Sequence, residues 1–216
     1  MGGHRPAVRA AGRAAAGPQG QGRAGGGLNR IFLVCHGATD AVRQARFPAD
    51  EPLSRQQSTR QQSTRQPAAL AGPARTDALS RGPELRCAQT AEALGWDAVV
   101  DDALADLDHG SWRGRSLAEV EQAELMAWMT DPDAAPHGGE PVSGVLKRVA
   151  AWLDRQNDVG RLGVVTSPAV IRAAVLAALG APASAFWRVD ISPLTVTQLT
   201  GGPGRWTVRE TGLPLE

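Results

Sequence analysis

The chain has only two cysteines, Cys35 and Cys87, too few for a disulfide scaffold, and no Cys/His spacing in it resembles a zinc site. It has no long apolar run: the longest, Ala173–Leu179, falls far short of the roughly eighteen residues a spanning helix requires. It also has little net charge, +1 over 216 residues, and that charge is unevenly placed. Residues 1–27 hold four arginines and no acid, which leaves −3 on residues 28–216. A neutral-to-acidic body does not track a phosphate backbone, so nucleic acid is excluded as a partner. These absences predict a soluble cytoplasmic protein with no membrane attachment and no metal or other cofactor. With 42% hydrophobic residues, its length suffices for one full core.

The first 27 residues are expected to lie outside that core. Nine Gly, seven Ala and two Pro accompany Val8 and Met1 as the only larger apolar residues, too little to offset ordering entropy. Residues 1–27 therefore read as a disordered tail and 28–216 as one α/β domain. An organelle-targeting segment is disfavoured, because serine and an amphipathic stripe are missing. The tandem Arg-Gln-Gln-Ser-Thr at 55–59 and 60–64 reads as a local surface duplication.

From Leu28 onward, strand and helix periods alternate. Ile31-Phe32-Leu33-Val34 suits a strand buried on both faces. Ala78-Leu79-Ser80 and Ala98–Val100 read as short strands. Pro83 to Leu94 reads as a helix with proline in its first turn and Gly95 as its stop. Ser116-Leu-Ala-Glu119 is a capping-box pattern, expected to open a helix through about Met129. Val142, Val145, Leu146, Val149, Trp152 and Leu153 fit one helical face. Leu162–Thr166 reads as a buried strand, followed by a helix from Pro168 to Leu179 closed by Gly180. Leu194–Leu199 and Trp206–Val208, either side of Gly201-Gly202-Pro203-Gly204, predict a hairpin. The alternation predicts an α/β fold, a three-layer α/β/α sandwich with a mostly parallel central sheet. Ligands in such sheets bind beyond the carboxyl ends of strands.

Chemistry collects at those ends. The first strand is followed by Cys35-His36-Gly37-Ala38-Thr39, and the second by Ser80 through Ala91, with Arg86, Thr90 and Ala91 inside it. Then come Asp106-Leu-Asp108-His109-Gly110-Ser-Trp112-Arg-Gly114, His137-Gly138-Gly139-Glu140 and Ala169-Val170-Ile171-Arg172. In this order the blocks resemble the histidine phosphatase superfamily, which contains phosphoglycerate mutases and many small phosphomonoesterases. The likeness runs from about Arg30 to the C-terminus. The family's first strand ends Arg-His-Gly-(Glu/Ala)-Thr, its second block reads Ser-x-x-x-Arg-x-x-x-Thr-Ala, and its acid precedes Gly-x-Trp-x-Gly.

The resemblance implies a cofactor-free phosphatase acting on a small phosphate ester through a phosphohistidine. It makes His36 the nucleophile, Arg86 an anion clamp, and Asp106 the general acid, with Asp108 a close rival. Arg46, in Arg46-Phe-Pro-Ala-Asp50-Glu-Pro-Leu53, matches a further basic position aimed at phosphate. Longer insertions typical of the cofactor-dependent mutases are missing, which favours a phosphatase.

Two positions depart from the pattern. Cys35 stands where the family has its first arginine, and Ser167 where it has its second histidine. Losing one preorganised donor costs about 2.7–4 kcal/mol, so the chain reads as an impaired phosphatase or as a silent binding or regulatory protein. Ser167 still offers a hydroxyl beside a helix start, as a phosphate contact or as a simple N-cap. Arg43, Arg46 and Arg172 are the arginines that would compensate. His109 and His137 read as loop residues, and Trp112, Trp128, Trp152 and Trp187 as core or pocket-wall aromatics. A cysteine phosphatase is excluded, because alanine (Ala41, Ala93) stands six residues after each cysteine. A serine hydrolase on Ser167 is excluded, because His137 is the last histidine.

Overall fold

The apolar run at Ile31 becomes the centre of a sheet. In the computed structural model, which describes residues 1–2, 28–54 and 76–215, strand β1 spans Asn29–Cys35 and every residue in it except Arg30 is buried. It pairs in parallel with β4 (Arg161–Thr166) and antiparallel with β5 (Thr195–Gly202). β2 (Ala78–Arg81) lies parallel to β4, and the two-residue β3 (Val99–Val100) lies parallel to β2. β5 and β6 (Arg205–Pro214) form the hairpin, so the six strands run β3-β2-β4-β1-β5-β6. The expected tail and the tandem repeat fall on residues 3–27 and 55–75, outside the described residues.

Alternation along β1 divides the core between two faces. Ile31, Leu33 and Cys35 join the larger cluster, under α4 (Val142–Asp154) and α5 (Pro168–Leu179). Phe32 and Val34 join a smaller one, which Cys87 and Ala91 of α2 (Leu85–Ala93) cover. One sheet covered on both faces is the three-layer arrangement. In α4 the stripe Val142, Val145, Val149, Trp152 and Leu153 is buried. The Trp152 indole donates to Asp101 Oδ2 at 2.9 Å, so its polar edge is satisfied as well. Truncating such a side chain to alanine costs about 3–5 kcal/mol. Helix α5 opens on Ser167 and Pro168 and stops at Gly180, which takes φ +60° as a left-handed stop requires.

One helix differs from expectation. The capping box at Ser116 and Glu119 forms, but it opens only a short 3-10 turn, Leu117–Glu119. Val120 then becomes extended and turns into the core, and α3 starts afresh as Gln122–Thr130. Burying Val120 outweighs continuing the helix that the cap had started. Near β1, a short helix α1 (Asp40–Arg43) is capped by Thr39.

Candidate active site

The parallel strands β1 and β4 end side by side, with Cys35 registered against Thr166. His36 leaves β1 there, its backbone amide donating to the Thr166 carbonyl at 3.0 Å. Two contacts fix its ring. The Gly37 carbonyl lies 2.8 Å from Nδ1, and Arg86 Nε donates to Nε2 at 3.1 Å. An acceptor on one nitrogen and a donor on the other select the neutral tautomer with hydrogen on Nδ1. Thr90 stands behind this arrangement. Its hydroxyl accepts from the Gly37 amide at 3.0 Å and donates to the Arg86 carbonyl at 2.7 Å. Thr90 therefore ties the loop that carries His36 to the helix that carries Arg86.

Asp106 reaches the same point from the loop after β3. Arg86 Nη2 donates to its Oδ2 at 2.6 Å, and the pair is nearly buried, at 3% and 13% side-chain exposure. The loop is braced from two sides. The Asp106 amide donates to Glu84 Oε1 at 2.6 Å, and Arg148 donates to the Ala103 and Ala105 carbonyls. Further along, Gly110 at φ +47° lies so close to the His137 carbonyl that a Cβ would collide with it. A glycine is needed for that approach.

His36, Arg86 and Asp106 line one cleft of about 160 Å³. Burial, then the Arg86 charge, pushes the His36 imidazole below its ordinary value, so it stays neutral at pH 7. Burial pushes the Asp106 carboxyl up, but Arg86, His109, the Ser167 hydroxyl and His36 together outweigh it and hold the group below the usual carboxylate range. Arg86 Nη1 is buried without a partner among the described residues, which leaves one donor open for an anion.

The other anticipated residues are placed differently. Asp108 pairs with Arg113 at 2.8 Å on the surface and does not line the cleft, so Asp106 alone of the two faces it. Arg46 borders the cleft, but Nη1 bonds the Gly114 carbonyl, Nε bonds Gln44, and Glu119 lies 3.8 Å away. Ser167, expected beside phosphate, is fully buried and forms no part of the lining. Its hydroxyl caps α5 at the Val170 amide and helps to hold Asp106 ionised. Cys35 is fully buried, and burial pushes its thiol up to about 12, so it contributes no charge. Arg43 is exposed and absent from the lining, whereas Arg172 lines it. Trp128 and Trp187 form wall, and Trp112 and Trp152 lie in the core.

Two lining residues had no sequence signal of their own. Glu51 lies within the Arg46–Leu53 run, and its Oε1 is buried without a partner among the described residues. Its neighbourhood with Thr39 and Arg86 is a tertiary fact. His109, anticipated only as a loop residue, also lines the cleft, packed 5.2 Å from Phe47 and 5.8 Å from Trp128. Burial pushes its pKa down to about 4.

Known proteins share this arrangement of chain. A mycobacterial glucosyl-3-phosphoglycerate phosphatase superposes with a TM-score of 0.69 at 22% identity, over 86% of this chain and 99% of its own. A phosphoserine phosphatase of Entamoeba histolytica, solved with phosphoserine, gives 0.69 at 16%, over 85% and 96%. In sequence, a bifunctional protein of Mycobacterium tuberculosis is 30% identical over 133 residues, 58% of this chain and 36% of its own length. Phosphoserine phosphatase 1 of Hydrogenobacter thermophilus is 31% identical over 110 residues, 48% of this chain and about half (52%) of its own. Residues 31–213 match the model of the histidine phosphatase superfamily (branch 1), and the chain belongs to that family.

Proposed function

We propose that this chain is a phosphomonoesterase that passes the phosphoryl group of a small phosphate ester to His36 and then to water. The observation that carries this reading is the tautomer at His36, with Nδ1–H held by Gly37 and the Nε2 lone pair beside Arg86 in the cleft. In the first step Arg86 Nε turns its hydrogen bond from Nε2 to the incoming phosphoryl, and the freed Nε2 lone pair attacks phosphorus. An N–P bond forms, the ester P–O bond breaks, and the departing oxygen takes a proton from Asp106. In the second, the Asp106 carboxylate takes a proton from water as the water oxygen attacks phosphorus. The P–N bond breaks, and inorganic phosphate leaves.

Asp106 begins as a carboxylate, and an acid needs a proton. An incoming phosphoryl group competes for Arg86 and brings negative charge beside Asp106, and both effects raise its pKa. A phosphate ester loses its second proton near about pH 6, so the monoanion delivers the proton that Asp106 requires. The charged and titratable groups that line the cleft are His36, Arg46, Glu51, Arg86, Asp106, His109 and Arg172. With His36 held neutral below its ordinary range, kcat/KM is expected to hold down to mildly acid pH and to fall as pH rises above about 6. Relatives named for phosphoserine and glucosyl-3-phosphoglycerate support a small phosphorylated metabolite as substrate.

A second reading, phosphate-ester binding without turnover, is favoured by the neutral, fully buried Cys35 and Ser167. An aryl phosphate separates the two. The phosphatase reading expects turnover that His36→Ala lowers on the order of a thousandfold. Equal rates in both proteins would exclude it, and binding without any turnover would establish the silent alternative.

A further inference from the structure

The inner end of the cleft holds Arg86 with two carboxylates, Asp106 and Glu51. Asp106 already neutralises Arg86, so these three groups leave a net negative surface where an anionic phosphoryl must sit. One further cation close to His36 would remove that repulsion.

Two other arginines line the cleft. Arg46 is exposed, and its guanidinium is engaged by Gly114, Gln44 and Glu119. Arg172 is set differently. It lies in the second turn of α5, whose first residues, Pro168 and Ala169, also face the cleft. Its Nε donates to the Val189 carbonyl at 2.7 Å, and its guanidinium carbon lies 5.8 Å from the Phe186 ring centroid and 5.7 Å from that of Trp187. That hydrogen bond and the two aromatic faces hold the guanidinium in place. Among the described residues Nη1 and Nη2 have no partner. Arg172 lines the cleft together with His36, Arg86 and Asp106, and the acids that act on its charge are Asp190 first and then Asp106.

We propose that Arg172 is the second guanidinium of the phosphoryl site, its two Nη groups supplying the anion donors that the strand end at Cys35 lacks. The proposal rests on the phosphatase reading for its catalytic consequence, but phosphate binding tests it independently. Arg86 approaches from α2 and Arg172 from α5, so the phosphoryl oxygens are held from two helices on opposite faces of the sheet. Arg172 keeps its aromatic stack and its bond to Val189 while it does so, and is preorganised for the anion.

The test uses the full chain as the parent, Arg172→Ala, Arg172→Lys and His36→Ala, with aryl phosphate turnover and calorimetric titration of inorganic phosphate. Arg172→Ala should lower kcat/KM about a hundred- to a thousandfold. It should also weaken phosphate binding at least tenfold. Arg172→Lys should recover part of both, since it restores charge without the planar fork. If alanine prevents folding, Arg172→Gln, which keeps the stem and one donor, makes the same comparison. Phosphate affinity and turnover within threefold of the parent in a folded Arg172→Ala or Arg172→Gln would overturn the proposal. A His36→Ala protein as active as the parent would instead overturn the phosphohistidine reading, while the phosphate titration still judges Arg172.

Discussion

Two arginine–aspartate pairs take their acids from positions two residues apart on one loop. Arg113–Asp108 and Arg86–Asp106 have nearly the same contact distance, 2.8 and 2.6 Å, yet their settings are opposite. The first is exposed, at 59% and 47%, and water screens it. The second is nearly buried, and Arg86 also reaches His36. An exposed ion pair contributes about 0–1 kcal/mol, whereas removing one partner of a buried pair costs about 3–5 kcal/mol because a charge is left uncompensated. The same chemistry is surface decoration in one case and lines the proposed site in the other. Burial separates them.

Substitution can break this contrast, and the largest effect belongs to Arg86. Arg86→Ala strands the Asp106 carboxylate. It should lower unfolding stability by about 3–5 kcal/mol in denaturant titrations and turnover by at least a hundredfold. Asp106→Asn keeps the shape but offers no transferable proton. A loss of 10²–10⁴-fold in kcat is expected, together with a lower melting temperature, because the buried Arg86 charge loses its partner. His109 gives a smaller, pH-dependent effect. It packs against Phe47, Trp128 and His137 and interacts with Asp106, Arg86 and Asp108. Burial lowers its folded pKa to about 4 from an ordinary 6.5, so its contribution to stability is complete above 6.5 and is lost as pH falls toward 4. Between pH 7 and 5 the protein should lose about 2 kcal/mol through this group, a loss that His109→Phe removes. The smallest effect belongs to the surface pair. Asp108→Asn should change stability by less than about 1 kcal/mol and leave turnover within twofold.

Much of the framework was legible in the sequence because local rules and burial agreed there. Helix α5 begins at Pro168 and stops before Gly180, where its punctuation puts it, and the run at Ile31 is a strand buried on both faces. Agreement failed where tertiary packing overrode a local signal. Ser116 forms its capping box, yet Val120 is drawn into the core and divides the expected helix in two. β6 extends to Pro214, well past Val208, because its outer residues are mostly exposed and leave no apolar alternation to read. In the site, the family resemblance singled out His36, Arg86 and Asp106, and the three line one cleft. Glu51 was not assigned a role, and Arg172 was only one of three arginines that would compensate, since direction and neighbours decide what a lone charge does. Arg46 shows the reverse case: a basic residue in the anticipated run, held at the mouth by Gly114 and Glu119.

The central claim is that His36 carries the phosphoryl group between ester and water. Mixing the protein with a radiolabelled aryl phosphate, quenching in alkali within a turnover and mapping the label tests it most directly. The account predicts an alkali-stable, acid-labile phosphoryl group on the peptide containing His36, absent in His36→Ala. Turnover without labelled protein, or with label on another residue, would contradict it.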